Sequence, residues 1–183
     1  MRILAAIGAL AIIGAVGAAV VFFGGFYSVA GTAEEPAIVH WALVQVRTAS
    51  INRHAHDQPP ATINNPTAIE DGARAFAKHG CANCHGAPGV NWAKFSEGLR
   101  PDPPDLKEVA NERTPSQLFW VIKNGINMTG MPSFAVAGVK DEEIWSIVAF
   151  VKKLPSVSEA DYKAWTAPPP AAAPAPNPPA QNQ

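Results

Sequence analysis

The 183-residue chain has only two cysteines, Cys81 and Cys84, so no multi-disulfide framework can staple it. It has no basic block and a formal net charge of −1, which excludes the electrostatic footprint of a nucleic-acid binder. Between Thr67 and Pro155, ten Lys or Arg balance ten Asp or Glu, so any docking charge must come from local asymmetry. No stretch of useful length alternates apolar and polar residues, so the β-strand signal is missing. Charged side chains are absent from Ile3 to Phe26, and apolar bulk is scarce in the Pro- and Ala-rich carboxy-terminal stretch.

The uncharged run is itself informative. The 24 residues from Ile3 to Phe26, wound as a helix at 1.5 Å each, span about 36 Å against a hydrocarbon core of about 30 Å. The apolar cores of signal peptides usually run about 7–15 residues, so the length favours an uncleaved transmembrane anchor. Ser28, Ala30, Gly31 and Ala33 are small enough for a cleavage site, which keeps a removed signal peptide as the second reading. Arg2 and the amino terminus precede the run, and Glu34 and Glu35 follow it. The positive-inside rule then leaves the amino terminus in the cytoplasm and puts everything after Tyr27 on the periplasmic side. Both readings place the rest of the chain there.

Composition divides the sequence into four stretches: the anchor or signal at 1–30, a connecting segment at 31–66, a helical domain at 67–156 and a Pro/Ala-rich tail at 157–183, expected to be extended and disordered. Within the connecting segment, Ile38, Val39, Ala42, Leu43, Val46 and Ala49 share a broad face at 100° per residue, with His40 and Arg47 opposite. Val44 and Ile51 break that pattern. Such a helix either lies on a membrane surface or packs on the domain. His40, His54 and His56 read as helix and linker histidines rather than metal ligands.

Three helices are legible in the domain. The first opens on Thr67 with Glu70 at capping-box spacing, shows an apolar face through Ile69, Ala73, Phe76 and Ala77, and stops at Gly80. The second has Thr114 as cap, Pro115 at its first position and Gln117 three past the cap, and ends at Gly125. The third starts with Asp141, Glu142 and Glu143 and ends with Lys152 and Lys153 before Pro155, the charge order favoured by the helix dipole. Gly- and Pro-rich loops join them. The expected class is all-α.

The chemistry sits in Cys81-Ala82-Asn83-Cys84-His85. Two thiols one helical turn apart suit addition to the two vinyl groups of one haem, and the adjacent imidazole then reaches the iron. A thioredoxin-like dithiol would need a βαβ setting, and a zinc site would need further Cys or His ligands nearby. The opposite axial position takes a second ligand or stays open, and a thioether from Met131 or Met128 is the candidate ligand. Met131 is favoured: Gly130 permits close backbone approach and Pro132 stiffens the chain past the sulfur. Trp120 and Ile122, on the preceding helix, are placed to line the haem pocket. Arg100 has two readings, a partner for a haem propionate or an ordinary solvated arginine.

On these features the chain resembles the class I cytochrome c family, from about Ile69 to Leu154. The matched residues are Cys81-Ala82-Asn83-Cys84-His85 and Gly130-Met131-Pro132. The resemblance implies one covalent haem c with His85 and Met131 as iron ligands. It implies that Gly72 and Phe76 lie where the first helix crosses the last, with Trp145 and Phe150 as partners. It also casts Pro104-Asp105-Leu106 as the family's P-x-L element, in which the proline carbonyl accepts from the His85 ring and Leu106 packs on the porphyrin. Pro101 and Pro103 are near enough to compete for that role. Membrane-anchored monohaem bacterial cytochromes share the His40-Trp41 region and Phe119 to Ile126, which bears on architecture and not on partner.

Three functions remain in view. An electron carrier, not an enzyme, would exchange electrons with a redox protein donor and acceptor of a respiratory chain. A fixed subunit would do so inside a membrane dehydrogenase or terminal oxidase. A haem enzyme or gas-binding protein would need an open axial position.

Overall fold

The amino-terminal run has neither proline nor charge to interrupt it, and it forms helix α1, Arg2–Phe23, which ends where the Gly24 N–H donates to the Val20 carbonyl at 2.8 Å. The structure is a computed structural model and describes residues 1–168. No residue of α1 is buried, and its 22 residues are long and apolar enough to cross a membrane. The chain divides into two compact units, Met1–Gln45 and Val46–Gln183, with the boundary inside helix α2, Ala37–His54. In the first unit, the start of α2 is held by the His40 ring, which bonds the Glu35 carboxylate at 3.1 Å.

Among the described residues the chain is all-α: eight α-helices, two short 3-10 turns and no strand. In the second unit, helix α3 spans Pro66–Lys78. Its cap is Asn65 and Pro66 occupies the first turn, so the expected Thr67 cap is corrected. Pro66 brings a preset φ and no N–H to satisfy, which makes it the better opening residue and draws the start upstream. A one-turn helix α4, Ala82–His85, follows. Helix α5, Leu106–Glu112, was not anticipated; Asp105 caps it by accepting from the Lys107 N–H at 2.8 Å. Helix α6, Pro115–Asn124, forms the expected capping box, in which Gln117 N–H donates to Thr114 Oγ1 at 3.2 Å and Thr114 N–H to Gln117 Oε1 at 2.9 Å. Helix α7 covers Asp141–Lys153.

The core forms where α3 crosses α7. A Cβ at Gly72 would lie 1.9 Å from the Ser146 carbonyl oxygen, so only glycine lets the two backbones touch there. One turn on, the Phe76 and Phe150 rings meet at 5.2 Å, as the family resemblance implied. Trp145 does not join that crossing. It stacks on Phe119 of α6 at 4.0 Å, with the rings 11° from parallel, and so ties α6 to α7. Phe76, Phe119, Phe150, Ile144, Ile147, Val148 and Val151 are the largest fully buried side chains.

The carboxy-terminal boundary also needs correction. The stretch after residue 157 carries helix α8, Glu159–Thr166, capped by Ser158. Tyr162 is 5% exposed and stacks on Phe150, and Trp165, three residues on along the same helix face, packs against the core. Two aromatics supply the bulk that composition alone hides. The remainder of the expected tail lies outside the described residues.

The connecting segment packs too. Ile51 is 4% exposed, Gln117 Nε2 donates to Asn52 Oδ1 at 2.7 Å, and the His54 ring stacks on Trp120 at 5.9 Å. The compact unit that holds the helical domain extends upstream to Val46. The residue that anchors α2 is one of the two that broke its apolar pattern.

Candidate haem-attachment site

The attachment turn is assembled by the end of α3. The Cys81 N–H donates to the Phe76 carbonyl at 3.1 Å, and Gly80, at φ 73°, turns the chain into α4. The His85 N–H donates to the Cys81 carbonyl at 3.0 Å, closing one helical turn that carries both thiols and the imidazole. Cys81 and Cys84 are free and half-buried. Burial, with a smaller push from Cys84, raises the Cys81 pKa to about 12, so the group is a thiol at neutral pH.

His85 Nδ1 lies 3.0 Å from the Pro104 carbonyl, to which it donates. That bond assigns the tautomer and leaves the Nε2 lone pair free. Burial lowers the imidazole pKa below its ordinary value, and the Pro104 bond opposes the shift only in part. The ring is therefore neutral and able to ligate. Of the three nearby prolines, Pro104 is the one bonded to the ring. Leu106, the first residue of α5, is half-buried against the core, and the Asp105 cap holds the turn between them. Arg100 donates to the Leu99 carbonyl at 2.8 Å and pairs with Asp102. A cleft of ≈ 580 Å³ beside His85 is lined by Cys84, Trp92, Arg100, Pro104 and Lys107 among others.

The methionine loop is built on the open carbonyls at the end of α6. Phe134 N–H donates to Ile122 O at 3.2 Å and Ala135 N–H to Lys123 O at 3.1 Å, while Ser133 Oγ donates to Lys123 O at 2.7 Å. Gly125, at φ 70°, faces Pro132 so closely that a Cβ would sit 2.6 Å from the Pro132 carbonyl carbon. The loop is thus pinned at both ends. Met131 is half-buried against the core, whereas Met128 is 89% exposed. Ile122 is a core residue, and Trp120 is half-buried beneath His54. The part of Ser133 in pinning the loop and the cover of His54 on Trp120 were not foreseen. A hydroxyl beyond a Gly-x-x sequence is a weak local signal, and the His54 contact spans 66 positions.

The donor set fits a covalent haem on the chemistry of its own atoms. Two thiols sit one turn apart, and a neutral imidazole beside them has its second nitrogen committed to a carbonyl. Residues 67–151 match the family described as cytochrome C oxidase, cbb3-type, subunit III. This stretch is a c-type cytochrome domain. Neither the curated proteins nor the solved structures contain a match to the chain. A c-type cytochrome domain implies covalent haem and suggests electron transfer. The match begins one residue into α3 and ends within α7, so α2 and α8 lie outside the matched stretch.

Proposed function

We propose that this protein is a membrane-tethered monohaem cytochrome c that passes single electrons between redox proteins, with His85 and Met131 as the axial ligands. Two separate observations support the reading: His85 is fixed in one tautomer by Pro104, and Met131 is half-buried in a loop pinned at both ends. Met128, in the same loop, is almost wholly exposed, which argues against it as the ligand. Haem, when bound, supplies a one-electron iron couple. Cys81 and Cys84 hold it, and the Pro104 carbonyl raises the basicity of His85. With haem bound, His85 and Met131 would both hold the iron, which would keep water and substrates from the metal and suit a carrier rather than an enzyme. Leu106, Trp120 and Ile122 supply apolar walls. One attachment motif and two cysteines in the whole chain support a single haem.

Helix α1 would hold the domain at the cytoplasmic membrane, and the charge order around it favours the periplasmic side. Donor and acceptor proteins would meet it through small, transient contacts of less than about 1,200 Å². A second reading, a fixed electron-transfer subunit of a membrane oxidoreductase complex, is favoured by the oxidase-subunit description of the matched family. Co-purification of other subunits in mild detergent would separate the two. The test of a closed iron is carbon monoxide added to the freshly reduced, undamaged protein. No spectral change is expected, and ready binding would overturn the carrier reading in favour of a gas-binding or enzymatic one.

A further inference from the structure

Helix α2 packs on the cytochrome domain with the side that carries Ile51. At 100° per residue, Trp41, Ile38, Ala49, Ala42 and Val46 fall within about 140° of one another, and Ile51 lies about 150° from the centre of that strip. The strip is uncovered: Ile38 is 69% exposed, Trp41 59% and Val46 67%. An apolar strip of this kind needs a cover. Its surroundings say which. The helix follows a membrane-spanning candidate after Gly24–Pro36, 13 residues that reach at most about 45 Å when fully extended. No acidic residue occurs from Pro36 to His56, while Arg47 and Arg53 are both basic. Arg53 falls in the same angular sector as the strip. Glu35, just upstream, is engaged by His40. Trp is enriched at the membrane–water boundary, where its ring is part wet and part apolar.

We infer that the Ile38–Trp41–Val46 strip of α2 lies on the lipid surface, in contact with anionic headgroups. The inference rests on the tethered-carrier reading and extends it. Attraction of Arg53 to anionic headgroups adds to burial of the strip, so the contact weakens with salt.

The test uses the full-length haem-loaded protein in lipid nanodiscs with brominated acyl chains, with and without anionic lipid. The readout is the quenching of tryptophan fluorescence that disappears in Trp41→Phe. Quenching of the Trp41 component, stronger in anionic discs and reduced by salt, is the expected result. An Ile38→Glu/Val46→Glu variant with an unchanged haem spectrum should lose most of it, at least several-fold. Absence of Trp41-dependent quenching, or equal quenching in the doubly charged variant, would overturn the inference. So would protection of residues 37–49 from hydrogen exchange seen only when another polypeptide co-purifies, which would assign the strip to a protein partner. Protein that fails to elute with the discs would refute the tether itself, a different failure from elution without quenching.

Discussion

Replacing Gly72 by alanine probes the contact on which the whole domain is built. The new Cβ would lie 1.9 Å from the Ser146 carbonyl oxygen and 2.9 Å from Phe150 Cβ, where ordinary contact begins at 3.4 Å. The Ser146 oxygen belongs to the backbone of α7 and cannot swing aside, so α3 and α7 must part by about 1.5 Å at that point. Overpacking of this kind costs roughly 1–3 kcal/mol, and the upper end applies because backbone meets backbone. The change also brings the helix preference of alanine over glycine, about 1 kcal/mol in the opposite direction. The net expectation is a loss of about 2 kcal/mol, or a fall in Tm of roughly 8–16 °C for a domain of this size. Far-UV circular dichroism melts of the haem-loaded protein would measure it. Gly98→Ala is the control: nothing lies within 4 Å of the added Cβ, and stability should stay within about 0.5 kcal/mol. A Gly72→Ala variant as stable as the parent, or more so, would show that propensity outweighs the crossing and would refute the reasoning.

Two further outcomes follow from α8 and from the bridge between α3 and α7. Tyr162→Ala removes a ring that is 5% exposed and stacked on Phe150, and should cost about 3 kcal/mol, whereas Tyr162→Phe should cost about 1 kcal/mol or less; equal effects in denaturant titrations would mean that the ring does not pack as described. The Glu143 carboxylate is held below its ordinary pKa of 4.5 by Lys78 first and His79 second, across α3 and α7. A lowered folded-state pKa stabilises above 4.5 and loses that contribution as pH falls through the lower value. Glu143→Gln should therefore cost up to about 1 kcal/mol near neutral pH, a partly exposed pair, and progressively less in acid. Urea midpoints of the two proteins that differ equally at both pH values would contradict this.

What the sequence made legible was local. The Thr114 cap, Pro115 and Gln117 lie within one turn, and α6 starts as those residues dictate. The attachment turn is similarly self-contained in five residues. Errors arose where two local signals competed or where a distant partner decided. Pro66 outweighed Thr67 at the start of α3. Asp105 opened a helix inside a proline-rich stretch that reads as loop. Tyr162 and Trp165 are two aromatics beside a Pro/Ala tail, and only the presence of Phe150 and α3 makes that segment fold. In α2 the periodicity located an apolar face correctly, but periodicity does not say which face another element will cover. Asn52 and His54 found partners on α6, and Ile51 was buried with them. Ser146 and Phe150 are the α7 residues that meet Gly72, while Trp145 stacks on Phe119 of α6.

The central claim is that His85 and Met131 close the iron, and the pair Met131→Ala and Met128→Ala tests it most directly. Absorption spectra of both oxidation states, carbon monoxide binding and reduction potential should be recorded for each variant beside the parent protein. Met131→Ala is expected to change the spectra, open the reduced iron to carbon monoxide and lower the potential by roughly 0.1–0.3 V, a fraction of the about 0.8 V range that axial ligation spans. Met128→Ala, at an exposed position, is expected to match the parent. An unaltered spectrum and potential in Met131→Ala, or the full change in Met128→Ala, would contradict the account.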